Sequence, residues 1–140
     1  MKEGKAKITD SGDNKWSTTT QQQIGEGVAA VLKHDQQTAN RYVVLESFLV
    51  SQNELVAALE KQGYKFEIEN QNGQGLIQGA TAGYDAGNIF AAYGLIQATT
   101  FVRGYGSDIS AEAAQWRSAL ELQKLDLQTE LKRIRCEIGA

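Results

Sequence analysis

The chain has 140 residues, a length typical of one domain that buries about two-thirds of its unfolded surface. Its formal net charge is -3 and 22% of its residues are charged, which excludes the basic surface of a nucleic-acid-binding or anionic-lipid-binding protein. With one cysteine and no apolar run of roughly 18 residues, the sequence predicts a cytoplasmic protein without disulfides, metal sites or membrane segments. We expect a single domain over residues 1–140.

The first predicted elements are two short strands and a helix. KAKIT and KWSTTT flank the turn-forming residues DSGDN, so we expect them to form a β-hairpin. A helix is predicted from Thr20 to about His34, because its apolar residues recur at helical spacing. These residues are Ile24, Val28, Val31 and Leu32.

A strand, a helix and a second strand follow. RYVVLESF is dense in β-branched and aromatic residues, which predicts a strand buried on both faces. SQNELVAALEKQG predicts a helix, since Ser51 and Glu54 have the spacing of a capping box and Gly63 stands where a left-handed C-terminal cap is expected. YKFEIEN is the next predicted strand.

The remaining elements are helical. Between residues 75 and 104 the helical spacing of Ile89, Tyr93, Ile96 and Thr100 predicts a buried helix. The last segment predicts one or two helices with a bend near residues 121–126, and its apolar stripe consists of Leu127, Leu131, Ile134 and Ile138. The sequence therefore predicts an α+β fold in which a few strands pack with about four to five helices.

The stretch NGQGLIQGA, between a predicted strand and a predicted helix, is similar in context to a dinucleotide-binding turn. Its third glycine comes one position late for the G-x-G-x-x-G pattern, and Asp85 follows too soon to reach a ribose. We therefore interpret these glycines as a turn with close packing, and Gly73 and Gly75 as a mobile lip over a neighbouring pocket.

Several segments together carry a family resemblance. SGDNKWSTTT, QQQIGEGVAAVLKH, TANRYVVLESFLVSQNELVAALEK, GYKFEIE and ATTFVRGYGSDIS resemble the C-terminal half of fungal NmrA-like, isoflavone-reductase-like proteins, which are atypical short-chain dehydrogenases. The resemblance implies that this chain corresponds to the substrate-binding half and lacks the Rossmann half that holds NAD(P) and the reductase lysine. No cofactor is therefore expected. Two departures from the family are LELQ at residues 120–123 and Gln23, where an aspartate is common.

Candidate site residues lie around the predicted helix of residues 89–100. Tyr84, Asp85 and Tyr93 are the candidate catalytic residues, because a carboxylate and two phenols can move protons. Candidate substrate-binding residues are Asn88, Ile89, Phe90, Phe101 and Trp16, since an apolar pocket with a few polar groups is typical of small-molecule sites. The alternative interpretation is that the aromatic residues belong to the core.

Three functions remain open at this point. The first is a small fungal secondary-metabolism enzyme that isomerises, cyclises or dehydrates a small molecule without a cofactor. The second is a non-catalytic ligand-binding or regulatory module or a partner subunit, and the third is a residual NAD(P)-dependent oxidoreductase. RYVVLESF would have an unpaired edge without the Rossmann sheet, so we also expect a homodimer, with the C-terminal apolar stripe as a second contact surface.

Overall fold

A computed structural model describes residues 2–137, apart from the side chain of Lys2. Within these residues the chain forms four strands, β1 (Lys2–Thr9), β2 (Lys15–Thr18), β3 (Phe48–Ser51) and β4 (Tyr64–Gln71). The same residues form seven helices, α1 (Gln21–Lys33), α2 (Asp35–Thr38), α3 (Gln52–Glu60), α4 (Gly73–Asp85), α5 (Ala91–Phe101), α6 (Ser110–Ala119) and α7 (Leu127–Glu137). The predicted α+β class is confirmed.

The helices are more numerous than the four to five expected because the pattern of residues 75–104 divides into two helices and the short helix α2 was not predicted. The pattern of residues 75–104 becomes α4 and α5, and that of the last 31 residues becomes α6 and α7. The predicted bend near residues 121–126 is confirmed, and Glu121 has a left-handed φ of 55° there. None of the helices in residues 2–137 is long and apolar enough to cross a membrane.

The described residues belong to two compact units. The first unit lies within Met1–Trp16 and Val50–Ser107, and the second lies within Ser17–Leu49 and Asp108–Ala140. In the first unit, β1 and β4 form a parallel two-stranded sheet, with register from Lys2 opposite Tyr64 to Thr9 opposite Gln71. Strands β2 and β3 form a separate pair. The single domain over residues 1–140 stays a prediction.

The predicted hairpin of KAKIT and KWSTTT is wrong. Strand β1 pairs with β4 over eight residues, whereas β2 pairs with β3. The residues between β1 and β2 form a turn in which the Gly12 amide donates to Thr9 O, and Gly12 O accepts from the Asn53 amide of α3. These bonds tie the turn to α3, and β1 forms its ladder with β4 instead of with β2.

The predicted strand RYVVLESF is also largely wrong, because residues 41–46 have no regular structure and β3 begins at Phe48. Polar side chains hold this segment. Leu45 O accepts from the Thr19 hydroxyl at 2.8 Å, and the Ser47 amide donates to Thr18 O. Glu46 is only 8% exposed, and its carboxylate accepts from the Ser17 hydroxyl. A buried, bonded carboxylate in the middle of the run replaces the continuous apolar strand.

The predicted helix SQNELVAALEKQG is confirmed as α3, and Gly63 has the expected left-handed φ of 90°. Its capping box is complete. The Glu54 amide donates to Ser51 Oγ at 3.2 Å, while the Ser51 amide donates to Glu54 Oε2 at 2.9 Å. Lys15 adds an ion pair with Glu54 at 2.9 Å.

The pKa of Glu54 lies below its ordinary value of 4.5, because Lys15 donates to its carboxylate and the Ser51 amide does so as well. A lowered folded pKa stabilises the fold above the unfolded pKa, and this contribution is lost as pH falls through the folded pKa. The side chain is 47% exposed, so we expect Glu54→Gln to remove only about 0.5 kcal/mol at pH 7. Urea titrations from pH 3 to 7 should show a shallower acid dependence for Glu54→Gln than for the wild type. An unchanged slope would contradict the assignment.

The second unit is held by buried polar contacts around α1. Gln23 is 2% exposed, its Nε2 donates to Gln123 O at 2.9 Å, and its Oε1 accepts from the Ser47 hydroxyl. Nearby, Arg117 of α6 forms an ion pair at 3.4 Å with Glu46. Gly27 lies against Leu45, because a Cβ on it would be 2.3 Å from Leu45 Cδ1. Helix α1 thus buries a polar and small face.

The apolar residues that predicted α1 lie largely on its exposed side. Helix α1 spans the predicted residues, but Ile24, Val28 and Leu32 are 47%, 55% and 75% exposed. In α7, the stripe residues Leu127, Leu131 and Ile134 are half-buried, while Ile138 lies outside the described residues. Helical spacing was therefore a correct signal for the helices and a poor one for the direction in which they face.

Candidate functional site

Helices α4 and α5 contact each other through small residues. Ala98 is 1% exposed and Ala80 is 9% exposed. A Cβ on Gly94 would lie 2.9 Å from Ala80 Cβ, and one on Gly83 would lie 3.1 Å from Ala91 Cβ. Because this contact admits only small side chains, the large residues of α5 are left on its other faces.

The turn between α4 and α5 is organised by Asn88. Its Oδ1 accepts from the Phe90 amide at 3.1 Å, and its own amide donates to Gly83 O at 3.0 Å. Asn88 O accepts from the Ala91 amide, and Gly87 has a left-handed φ of 87°. These bonds fix the backbone on which the candidate catalytic residues stand.

Six of the eight predicted site residues lie together at this turn, and we call them the turn cluster. They are Tyr84, Asp85, Asn88, Ile89, Phe90 and Tyr93. Asp85 is the last residue of α4, and Tyr93 lies in the first turn of α5. The cluster presents one carboxylate, two phenols and one amide beside an aliphatic and an aromatic side chain.

The predicted helix of residues 89–100 is confirmed, but its predicted burial is wrong. Ile89, Phe90 and Tyr93 are 71%, 72% and 72% exposed, and Ile96 is 61% exposed. The buried face of α5 is the small-residue face that includes Gly94 and Ala98, so the aromatic stripe faces outward. An exposed group of large apolar side chains is typical of a binding surface.

Trp16 and Phe101 form a separate pair. Their ring centroids lie 4.9 Å apart in an edge-to-face arrangement with an interplanar angle of 84°. Asn14 Nδ2 donates to Thr100 O at 3.3 Å beside them. Phe90 and Phe101 lie at opposite ends of α5, which is about 16 Å long, so the structure does not bring this pair into the turn cluster.

The glycine-rich stretch lies in the first turns of α4, and the chain itself occupies that helix N-terminus. The Gly73 amide donates to the Asp10 carboxylate at 2.8 Å, and the Gly75 amide donates to Asn72 Oδ1 at 2.7 Å. Gly73 is buried, and a Cβ on it would lie 2.5 Å from Asp10 Oδ2. The Asp10 carboxylate fills the position that an anion would take at this helix N-terminus, which agrees with a turn with close packing instead of a dinucleotide-binding turn. The mobile lip stays a prediction. The N-cap residue Asn72 was the sequence signal for this helix start.

A concave surface in the second unit was missed by the sequence reasoning. It encloses about 400 Å³, within the range of small-molecule sites. The Arg41 guanidinium lies 4.7 Å from the ring centroid of Trp116 at this site, and Tyr42 is 94% exposed beside it. The remaining lining residues are Asn40, Glu112, Gln115 and Ala119. Three of its lining residues, Asn40, Arg41 and Tyr42, belong to TANRY, one of the segments on which the family resemblance rests.

Metal-ligating side chains are scattered in the part of the chain that the structure describes. Within residues 2–137 no three His, Cys, Asp or Glu side chains converge as a metal ion would require. His34 is the C-cap residue of α1, and Cys136 is exposed near the end of α7. The turn cluster carries groups that can accept or donate a proton and side chains that can make apolar contacts.

This chain is similar to fungal proteins named oxidoreductases. It is 37% identical over 81 residues to the oxidoreductase poxI of Penicillium oxalicum. This match covers 57% of this chain and 26% of that protein. It is 30% identical over 104 residues to the oxidoreductase aprR of Aspergillus flavus. This match covers 74% of this chain and 35% of that protein. The matches thus span about a quarter to a third of the relatives' length. No protein-family model and no solved structure matches the chain.

Proposed function

We propose that this chain corresponds to the substrate-binding region of an NmrA-like protein, forms one domain over residues 1–140, and acts on a small organic molecule at the turn cluster. The observation that carries the proposal is the position of Tyr84, Asp85 and Tyr93 on the two sides of one hydrogen-bonded turn, next to exposed apolar side chains. The similarity to two fungal oxidoreductases supports the family origin. We propose that the reaction takes place in the cytoplasm.

The proposed reaction is an isomerisation, cyclisation or dehydration that needs no nicotinamide cofactor. Each can begin with removal of a proton from a carbon next to a carbonyl group. Asp85 is the proposed general base, and a phenol of Tyr84 or Tyr93 donates a hydrogen bond to the oxygen on which negative charge develops. Ile89 and Phe90 supply the apolar contact, while Asn88 orients the turn. In this scheme Trp16 and Phe101 hold the far end of α5, and any contact with substrate there requires an elongated molecule.

Hydrogen–deuterium exchange tests the shared first step directly. In D₂O the wild-type protein should accelerate exchange at the α-carbon of aryl ketones or 1,3-diketones, followed by proton NMR. Asp85→Asn removes the base and should lower the catalysed rate about 100-fold, and Tyr93→Phe should lower it less. Asp35→Asn, in α2, is the matched control and should leave the rate unchanged. Equal rates for wild type and Asp85→Asn would refute the catalytic assignment.

A ligand-binding or regulatory module is the second candidate, and the concave surface beside Arg41 and Trp116 favours it. A guanidinium stacked on an indole, next to an exposed tyrosine, fits a planar ligand that carries a negative charge. A ligand that binds there without any α-proton exchange would select this function over catalysis.

A residual NAD(P)-dependent oxidoreductase is the third candidate, and only the names of the relatives favour it. Asp10 competes with a pyrophosphate for the N-terminus of α4, because its carboxylate already accepts from the Gly73 amide. Calorimetry with NADPH separates this candidate from the other two, since micromolar binding would establish a nucleotide site.

A further inference from the structure

The parallel sheet of β1 and β4 has one outer edge on each strand, and within residues 2–137 Gln52 covers the C-terminal end of the edge on β1. The side-chain amide of Gln52 lies against β1, where its Oε1 accepts from the Thr9 amide at 2.9 Å and its Nε2 donates to Lys7 O at 2.8 Å. Gln52 thus takes the place of a neighbouring strand at the C-terminal end of β1. This contact blocks the outer edge of β1 to another strand.

The outer edge of β4 remains available. Gln71 O accepts from the Asp10 amide at 3.0 Å, so the backbone of Gln71 faces the β1 side. Because backbone groups alternate in direction along a strand, the N–H and C=O groups of Tyr64, Phe66 and Ile68 point away from β1. Among the residues that the structure describes, none forms a hydrogen bond with the outward groups of Phe66 and Ile68.

The charges along β4 make this edge complementary to itself. When two copies of β4 run antiparallel around a two-fold axis at Phe66, Lys65 of each copy lies opposite Glu67 of the other. Tyr64 then lies opposite Ile68, an aromatic and β-branched pair. A shift of the axis to Glu67 would place two Glu67 side chains opposite each other, and an axis at Ile68 would place Glu67 opposite Glu69. The register centred on Phe66 is the one of these three that pairs opposite charges and places no like charges opposite each other.

The existing ion pairs leave room for these contacts. Lys5 forms ion pairs with Glu67 at 3.4 Å and with Glu69 at 3.1 Å, and the side chain of Glu67 remains 69% exposed. Lys65 has no ion pair with any residue in the described part of the chain. The two Lys65 charges can therefore pair with Glu67 of the partner copy.

We propose that the outer edge of β4 is a homodimer interface, in which two β4 strands pair antiparallel about Phe66 to form a four-stranded sheet. The proposal goes beyond the proposed function and does not depend on it. It also relocates the homodimer contact expected at RYVVLESF, since residues 41–46 do not form a strand.

Charge reversal tests the register by sedimentation velocity at up to about 100 µM protein. The wild type should sediment with twice the mass of one chain. Lys65→Glu and Glu67→Lys each place like charges opposite each other twice, so each should raise the dimer dissociation constant by about tenfold or more. The double variant restores opposite charges and should return the constant to within about threefold of the wild type. Lys33→Glu and Glu26→Lys, two reversals on α1, are the controls and should leave dimerisation unchanged.

Circular dichroism of each variant verifies folding, and Lys65→Ala and Glu67→Ala provide gentler substitutions that should weaken the dimer less than the reversals. A monomeric wild type would overturn the proposal. A dimer that is insensitive to both single reversals, or a double variant as weak as the single variants, would overturn it as well.

Discussion

Replacing Gln23 by alanine is expected to lower the free energy of unfolding by about 3 kcal/mol. The side chain is 2% exposed and makes hydrogen bonds with both Gln123 O and the Ser47 hydroxyl. Alanine removes the acceptor of the buried Ser47 hydroxyl and the donor to Gln123 O, and it opens a cavity beside Ser47. The two losses add because Gln23 is the only link between Ser47 and Gln123 that the described hydrogen bonds contain.

Gln22→Ala is the matched control, since Gln22 is exposed on the same turn of α1 and bonds only Glu26 among the described residues. Its effect should stay within about 0.5 kcal/mol. Urea unfolding can be followed by Trp116 fluorescence in a Trp16→Phe background, so that the signal comes from the second unit. Equal midpoints for the two variants would show that the buried polar contacts contribute nothing. Gln23→Asp, which introduces the residue common in the NmrA-like family, should be as destabilising as Gln23→Ala if the shorter side chain cannot reach both partners.

The second large effect is expected at the contact between α4 and α5. Gly94→Leu should cost about 3 kcal/mol, because the Cβ alone would lie 2.9 Å from Ala80 Cβ and the backbone of one helix would have to move. The helices would separate, and the turn cluster would lose its fixed geometry. Hydrogen-exchange mass spectrometry should show faster exchange in peptides that cover residues 73–101.

Gly79→Ala is the control for Gly94→Leu, since a Cβ on Gly79 has no atom within 4 Å. It should stabilise α4 by about 0.5–1 kcal/mol through higher helix propensity. If residues 73–101 exchange hydrogen equally slowly in Gly94→Leu and in the wild type, the small-residue contact does not hold the two helices together.

The sequence predicted local structure where local chemistry decides it. The capping box of α3 and the strand YKFEIEN are set by neighbouring residues, and both are confirmed. The hairpin of β1 and β2 failed because Gln52 and β4 lie more than forty residues away from β1 in the chain. No turn pattern at residues 10–14 contains that information.

At the candidate site, too, the sequence predicted local placement but not the contacts between distant segments. Helical spacing predicted that Tyr84, Asp85, Asn88 and Tyr93 would form a polar patch. The structure places these residues at the turn between α4 and α5, and their role as a site stays a prediction. Their exposure could not be predicted from apolar periodicity, because the closest helix contact uses Gly94 and Ala98 instead of the aromatic residues. The roles of Asp10 at α4 and of Arg41 on Trp116 depend on tertiary contacts between distant segments.

The most direct test of the binding assignment is a protein-observed NMR titration with a library of small aryl ketones and aryl carboxylic acids. Amide shifts identify the contacted residues independently of turnover. We predict that ketone fragments shift the amides of residues 84–93, and that Phe90→Ser weakens these shifts whereas Leu32→Ser, an equally exposed apolar residue on α1, does not. Shifts confined to residues 40–42 and 112–119, with none at the turn cluster for any fragment, would contradict the assignment.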